Sequence, residues 1–527
     1  MWLIMAKPKS KPLSFTTTLR NPQRIAQFLE ILKKYEGQIL TNELIQEICR
    51  DVVKNKIYQP LYIKSIPELN KVLNSEENFT DEQAKEIIKN SPQNHKEAGF
   101  TSGWPSRFDT WYKITKEFAF TNYAIGKPIQ ISPLGDLLIK SDLEQDSILS
   151  SAVFTISMMR YKTNNLYRKN ANDNHPLILL LNTIVFLRTK LENKFKGLSK
   201  KELALFLCWP NDDYEKLGNL IIDCRIKFKN HQTKENYYEI CLSLLGTNVK
   251  ESGKYIKQSK IFDESVDDYI RKMRETGLIS LRGNGLYIDE NTSNKIIVDY
   301  IVKMPLINKD FSTSEEYFEE NGKVDKKIIS LFLNNVGDSV IENISAKNVF
   351  LEDISNRYSY EEISKELNNL IKSKTGTKDE LLKNISEPTR LEFLTAALFK
   401  KKFPNETIIP NYIADDQGVP YTHAPGGKPD ILFKSSDLTF PIEVTLLRSK
   451  DDLFSKEIIP IKRHLLDNKE ENEMGVVIFV SPRFHEDNYD EMDFLEERFK
   501  ISYKPIVISE LVDKITNLND YHEVINL

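Results

Sequence analysis

Two acids stand where a buried sheet would be expected to hold apolar residues. Asp430 opens the run Ile431, Leu432 and Phe433, and Glu443 interrupts the run Phe440–Leu447, thirteen positions on. Both runs read as strands, separated by turn residues at Ser435–Asp437. In the second run Ile442, Val444 and Leu446 alternate with Glu443 and Thr445, so the acid and the threonine share one face. A two-residue turn that pairs Lys434 with Asp437 sets Asp430 opposite Pro441 and makes Glu443 its diagonal neighbour, with Cβ atoms roughly 7 Å apart. Carboxylates this close repel unless a proton or a cation intervenes, and a hard divalent ion between them is suited to phosphodiester hydrolysis. The other reading makes Asp430 the cap of the turn after Gly426 and Gly427, with Glu443 on a solvated face.

Together with its flanks, THAPGG before Pro429, EVT at Glu443, and a following helix bearing Glu457, Lys462, Arg463 and His464, this stretch resembles the PD-(D/E)xK nuclease core. Within that superfamily it resembles the AlwI-type class of type IIS restriction endonucleases and the related nicking endonucleases. The resemblance implies four acids associated with cleavage: Glu392 in LEFLT, Asp430, Glu443 and Glu457. It also implies Mg²⁺ as cofactor, double-stranded DNA as substrate, and 5′-phosphate and 3′-hydroxyl ends. One position departs from the superfamily pattern: the lysine two residues after the second acid is Thr445. Lys428, Lys462, Arg463 or His464 would then have to orient water or neutralise phosphate.

The elements that must position these acids read as an αββαβ-like order. Leu391, Leu394, Ala397 and Leu398 form the apolar stripe of a helix with Glu392 at its edge. The two strands follow, then a helical segment containing Glu457 and broken or restarted at Pro460. MGVVIFVSP reads as a buried strand, and PIVIS with ELVDKITNL as a strand and helix. Apolar central strands with flanking helices describe a mixed α/β sheet over 388–527.

The preceding chain reads as a recognition region, 1–303, followed by charged helical linkers over 304–387. Its basic start leads to a helix entered at Asn21 and Pro22, with Ile25, Phe28, Leu29 and Leu32 as the buried stripe. Arg20 and Arg24 are candidate DNA contacts there. Trp104, Phe108, Trp111 and Tyr112 read mainly as core, leaving Arg107, Lys113 and Lys127 to reach phosphates or base edges. Strands at Phe118–Tyr123 and Ile129–Ile131, then a helix capped by Ser132, suggest one winged-helix-like unit. A second is suggested by the capping box Ser199/Glu202, the amphipathic helix SVDDYIRKMRETG, and a hairpin about Gly283–Gly285. In it Arg271, Lys272, Arg274 and Arg282 are the candidate contacts.

With 527 residues, 40% hydrophobic and 28% charged, the chain is long enough for several cored domains. Its net charge of -4 announces no global affinity for nucleic acid, so a basic cleft would have to be local. Cys49, Cys208, Cys224 and Cys241 lack metal or disulfide spacing and read as reduced core thiols of a cytoplasmic protein. The opening MWLIM is too short for a signal peptide, and no apolar run is long enough to span a membrane. His423 and His464 lack a second histidine at metal spacing, and the absence of a P-loop argues against ATP.

The whole reads as a multidomain α+β endonuclease that binds a short asymmetric site and cuts a few nucleotides away. A single acid cluster serves one strand, so double-strand cleavage calls for a transient homodimer, a second subunit or sequential nicking. A site-specific nicking enzyme, a non-cleaving winged-helix regulator and a structure-specific repair nuclease are the rival readings.

Overall fold

The computed structural model describes residues 11–15, 19, 22, 24–73, 75, 77–168, 172–229, 231–248, 256–306, 309–372, 376–467 and 475–527, with backbone alone at 336–343, 464, 467 and 525. Arg20 and the side chain of His464 lie outside the described residues. The chain forms two compact units. The first comprises Met1–Gln46, Gln93–Leu143 and Ile148–Val340, and the second Glu47–Pro92, Glu144–Ser147 and Ile341–Leu527.

In the first unit the helix Arg24–Lys33 buries Ile25, Phe28, Leu29 and Leu32, the stripe its sequence marks. Trp104–Glu117 forms a helix whose Trp104, Phe108, Trp111 and Tyr112 are all core. Phe28 meets Trp111 and Tyr112 edge-on or tilted, with ring centroids 5.9 and 5.6 Å apart, and the Tyr112 hydroxyl donates to the Phe28 carbonyl at 3.1 Å. The hairpin expected next is small. Strand β1 (Thr121–Asn122) pairs antiparallel with β2 (Gln130–Ile131) over two residues, because the helix runs on to Glu117 and Ala119 reverses the chain at φ 56°.

Strand β3 (Leu198–Ser199) leads directly into the helix Lys200–Cys208, closed by the Ser199/Glu202 capping box. Strands β4 (Ile279–Arg282) and β5 (Tyr287–Glu290) form the second hairpin, and the three-strand order is β3-β5-β4. Gly283 and Asn284 take φ of 55° and 58° and Gly285 takes 84°, values that glycine and asparagine tolerate best.

The helix Val266–Glu275, read as amphipathic with Arg271, Lys272 and Arg274 as candidate contacts, is instead enclosed on nearly all sides. Lys272 and Arg274 are 1% and 2% exposed. The amino-terminal segment covers the polar face: the Lys272 ammonium lies 5.1 Å from the Phe15 ring centroid and donates to the Leu19 carbonyl.

The second unit is built on a mixed five-stranded sheet. Strands β6 (Thr407–Pro410), β9 (Ile431–Lys434), β10 (Thr439–Val444), β11 (Gly475–Ser481) and β12 (Ile501–Val507) lie in the order β12-β11-β10-β9-β6, and a separate small ladder pairs β7 (Ile413–Ala414) with β8 (Pro420–Thr422). The β6-β9-β10 ladders are antiparallel and the β10-β11-β12 ladders parallel. On one face Val477, Phe479, Ile501 and Tyr503 pack with Leu453, Ile458, Ile461, Met492 and Leu495. The helices Tyr360–Ile371, Glu387–Lys402 and Ile508–Asn517 pack on one another, and the second of these lies against β6.

Candidate active site

The register at the acids differs from the simplest hairpin expectation. Lys434 pairs with Thr439, not Asp437, because Ser435–Leu438 forms a four-residue turn. The Ser435 N–H donates to the Leu438 carbonyl at 2.9 Å, and the Leu438 N–H donates back to the Ser435 hydroxyl at 3.0 Å. A shift of two preserves each side chain's face. The antiparallel pairing ends at Ile431 and Ile442, and its register, continued one residue, sets Asp430 opposite Glu443 and not on a diagonal from it.

Each acid holds the other's strand. Glu443 accepts the Asp430 N–H at 3.2 Å, and Asp430 accepts the Val444 N–H at 2.8 Å. The Asp430 carbonyl in turn accepts the Asn411 N–H at 2.9 Å. Glu443 is 8% exposed and Asp430 half-buried. Burial pushes the Asp430 carboxyl up to about 7, against the pull of the Val444 N–H and of Glu443. Glu443 is driven well above the usual carboxylate range by burial first and Asp430 second.

Glu392 and Glu457 complete the cluster. Glu392, 4% exposed on the helix Glu387–Lys402, accepts the Ala424 N–H at 3.1 Å. Its carboxyl is pushed well up by burial, and then by Asp430, Glu443 and Glu457. Glu457 sits in a π-helical turn, Phe454–Ile458, between the helices Lys450–Leu453 and Ile459–Asp467. Pro460 accounts for the wide turn, since it lacks an N–H and its ring crowds the carbonyl four residues back. Burial and Asp430 push Glu457 up to about 8, while the Thr445 hydroxyl and Lys456 pull the other way. All four acids therefore feel one another. Among the described residues no group of three or more His, Cys, Asp or Glu side chains is placed to hold a metal ion.

The position that lacks the superfamily lysine is occupied structurally. Thr445 continues the sheet through its N–H to the Val480 carbonyl (2.9 Å), accepts the Leu447 N–H at its hydroxyl (3.1 Å), and draws the Glu457 carboxyl down. Of the cations considered as substitutes, Lys428 and Arg463 are exposed, and Lys462 lies 4.3 Å from the Phe499 ring centroid. His423 is turned to Ser147 and to the Ala424 carbonyl, at 3.2 and 2.9 Å, and burial lowers its pKa.

The candidate DNA contacts of the first unit divide by what already holds them. Arg107 donates to His95 Nε2 at 2.8 Å and covers the Trp111 ring at 5.6 Å. Arg282 reaches Asp289 at 3.6 Å and the Glu290 carbonyl at 3.2 Å, which locks the β4–β5 hairpin. Lys113 and Lys127 make surface ion pairs, with Glu97 at 3.5 Å and Glu315 at 3.1 Å. Such pairs contribute little and exchange readily for phosphate. Arg24 is half-buried.

The model of the AlwI restriction endonuclease family matches residues 116–355 and 334–507, and the chain belongs to that family. It is a site-specific deoxyribonuclease whose substrate is DNA. Glu392, Asp430, Glu443, Glu457 and Arg282 lie inside the matched residues; Arg20, Arg24, Arg107 and Lys113 lie before them. Among solved structures the chain is similar to the small subunit of the heterodimeric restriction endonuclease R.BspD6I, at 21% identity over 30% of this chain and 78% of that one, with a TM-score of 0.25. It is also similar to the restriction endonuclease FokI, at 11% identity over 97% and 96% of the two chains, with a TM-score of 0.24. No curated protein matches the chain. Among the described residues no helix is long and apolar enough to cross a membrane.

Proposed function

We propose that the protein is a Mg²⁺-dependent type IIS enzyme, which binds a short asymmetric double-stranded site and hydrolyses a phosphodiester a few nucleotides outside it. The observation that carries the reading is the pair of hydrogen bonds by which Asp430 and Glu443 each hold the other's strand, where burial raises both carboxyls above their ordinary range and Asp430 raises Glu443 further. A pair, not a closed cage, suits Mg²⁺, which takes one or two carboxylates and fills its remaining positions with water and substrate oxygens. When bound there, the ion polarises a phosphoryl oxygen and acidifies water.

In this reading Asp430 and Glu443 ligate the metal with help from the Val444 carbonyl. Glu457, whose carboxylate Thr445 favours, would orient the attacking water or hold a second ion, and Glu392 completes the negative cluster. DNA recognition belongs to 1–303, the linker to 304–387 and cleavage to 388–527. The β3-β5-β4 sheet with the helices Lys200–Cys208 and Val266–Glu275 between its first two strands supports a winged-helix-like element. Burial of the second helix moves the expected DNA contact to the hairpin tips and to cations such as Lys127. One acid cluster serves one strand, which favours either nicking or double-strand cleavage with a second copy or subunit.

Supercoiled plasmid incubated with the protein and Mg²⁺, with an EDTA control and end sequencing, tests the proposal. Ends at a fixed offset from a shared asymmetric motif are expected, and nicked circles alone identify the nicking form. Intact plasmid despite specific binding contradicts cleavage, and ends without a common motif contradict site recognition.

A further inference from the structure

The helix Lys326–Arg357 delivers Lys347 to the end of β6. The Lys347 ammonium donates to the carbonyls of Pro410 (3.0 Å) and Tyr412 (3.4 Å) and lies 5.7 Å from the centroid of the Tyr412 ring. β6 is an edge strand, and along an antiparallel strand successive residues direct their polar groups to opposite sides. The carbonyls flanking Asn411 thus face outward to Lys347, while Asn411 faces β9. Its N–H donates to the Asp430 carbonyl at 2.9 Å, and its side-chain amide donates to the Pro429 carbonyl at 2.7 Å. Lys347 grips both neighbours of the residue that holds the backbone of Asp430.

The same part of the helix is locked to the site's scaffold twice more. Phe350 stacks on Phe393, beside Glu392, with centroids 5.7 Å apart and planes at 15°. Gly418, at φ +80°, passes so close beneath Ala346 that a Cβ would overlap the Ala346 carbonyl oxygen. A half-buried ammonium is a costly way to close a sheet edge, since burial and the nearby Lys428 bring its pKa down to about 8.

We propose that Lys347 is a positioning residue: acting through Asn411, it fixes the backbone of Asp430 so that the carboxylate stands opposite Glu443. This rests on the reading of Asp430 and Glu443 as a metal-binding pair.

The test uses the full chain and compares Lys347→Met, Lys347→Arg, Asn411→Ala and Asp430→Asn. The readouts are kcat and KM on plasmid bearing the site, and Ca²⁺ affinity of the DNA-free protein by calorimetry. Lys347→Met and Asn411→Ala are expected to lower kcat roughly 10- to 100-fold, the scale of a misplaced catalytic group. KM stays near wild type, Ca²⁺ binding weakens, and Lys347→Arg recovers most of the loss. Asp430→Asn abolishes cleavage and Ca²⁺ binding outright. Wild-type kcat and Ca²⁺ affinity in both Lys347→Met and Asn411→Ala, with Asp430→Asn inactive, overturns the positioning role alone. An active Asp430→Asn overturns the metal-pair reading beneath it. If Lys347→Met does not fold, Lys347→Ala decides, and a wild-type rate and Ca²⁺ affinity there overturn the proposal.

Discussion

The Thr445 hydroxyl accepts the Leu447 N–H at 3.1 Å, and the same hydroxyl draws the carboxyl of Glu457 down against the upward push of burial. A residue that looks like the loss of a catalytic lysine thus favours the charge of a fourth acid. Thr445→Val keeps the shape and removes the hydroxyl. It is expected to lower kcat roughly tenfold and to cost about 1 kcal/mol in stability, because the Leu447 N–H loses its acceptor. Parallel single-turnover and thermal denaturation measurements separate the two effects.

Glu443→Gln and Asp430→Asn each remove a charge but retain size. Each is expected to slow cleavage by roughly 10³-fold or more, the scale of losing electrostatic stabilisation at the reacting phosphate. Site-specific binding in Ca²⁺, measured by gel shift, is expected to stay within about threefold, because the proposed recognition contacts are assigned elsewhere in the chain.

The metal-free protein is expected to lose stability as pH rises. Unfolded carboxylates titrate near 4, whereas folded Asp430 is held at about 7 and Glu457 at about 8. Between those limits the folded chain binds more protons than the unfolded chain, so stability is greatest at the acid end and falls towards pH 8. Glu275, in the first unit and also pushed up to about 8 by burial, acts in the same direction. Denaturant titrations at pH 5.5 and 8.5 on the wild type and on an Asp430→Asn/Glu443→Gln double variant isolate the cluster's share. The variant is expected to show a flatter pH dependence, and Ca²⁺ to restore wild-type stability at pH 8.5.

Two basic residues of the first unit are expected to behave differently. Lys127, 62% exposed in its side chain, is expected to act on DNA. Lys127→Ala weakens binding across sequences and lowers the slope of log affinity against log salt by about 1. Arg282, 17% exposed and held by Asp289 and Glu290, is expected to act on the fold. Arg282→Ala lowers Tm, with little change in the salt slope.

Residue patterns marked the candidate acid cluster more clearly than the surfaces around it. Period-two alternation places Asp430 and Glu443 on one face, and Pro460 marks the break beside Glu457. The turn length was not legible, because the Ser435 hydroxyl closes a four-residue loop that composition does not distinguish from a shorter one. The amphipathic pattern of Val266–Glu275 was legible, but its meaning was not: a segment some 250 residues earlier covers the polar face with Phe15 and Leu19. The partners of Arg107 and Arg282 were not legible for the same reason, since His95 and Asp289 are brought to them by the fold and not by spacing.

The most direct test is a crystal structure of the full chain grown with Mn²⁺, read by anomalous scattering. The account predicts a peak between Asp430 and Glu443, about 2.1 Å from an oxygen of each, and its loss in Glu443→Gln. A cleavage-competent crystal whose Mn²⁺ lies elsewhere, with Asp430 and Glu443 still holding each other's strand, would contradict it.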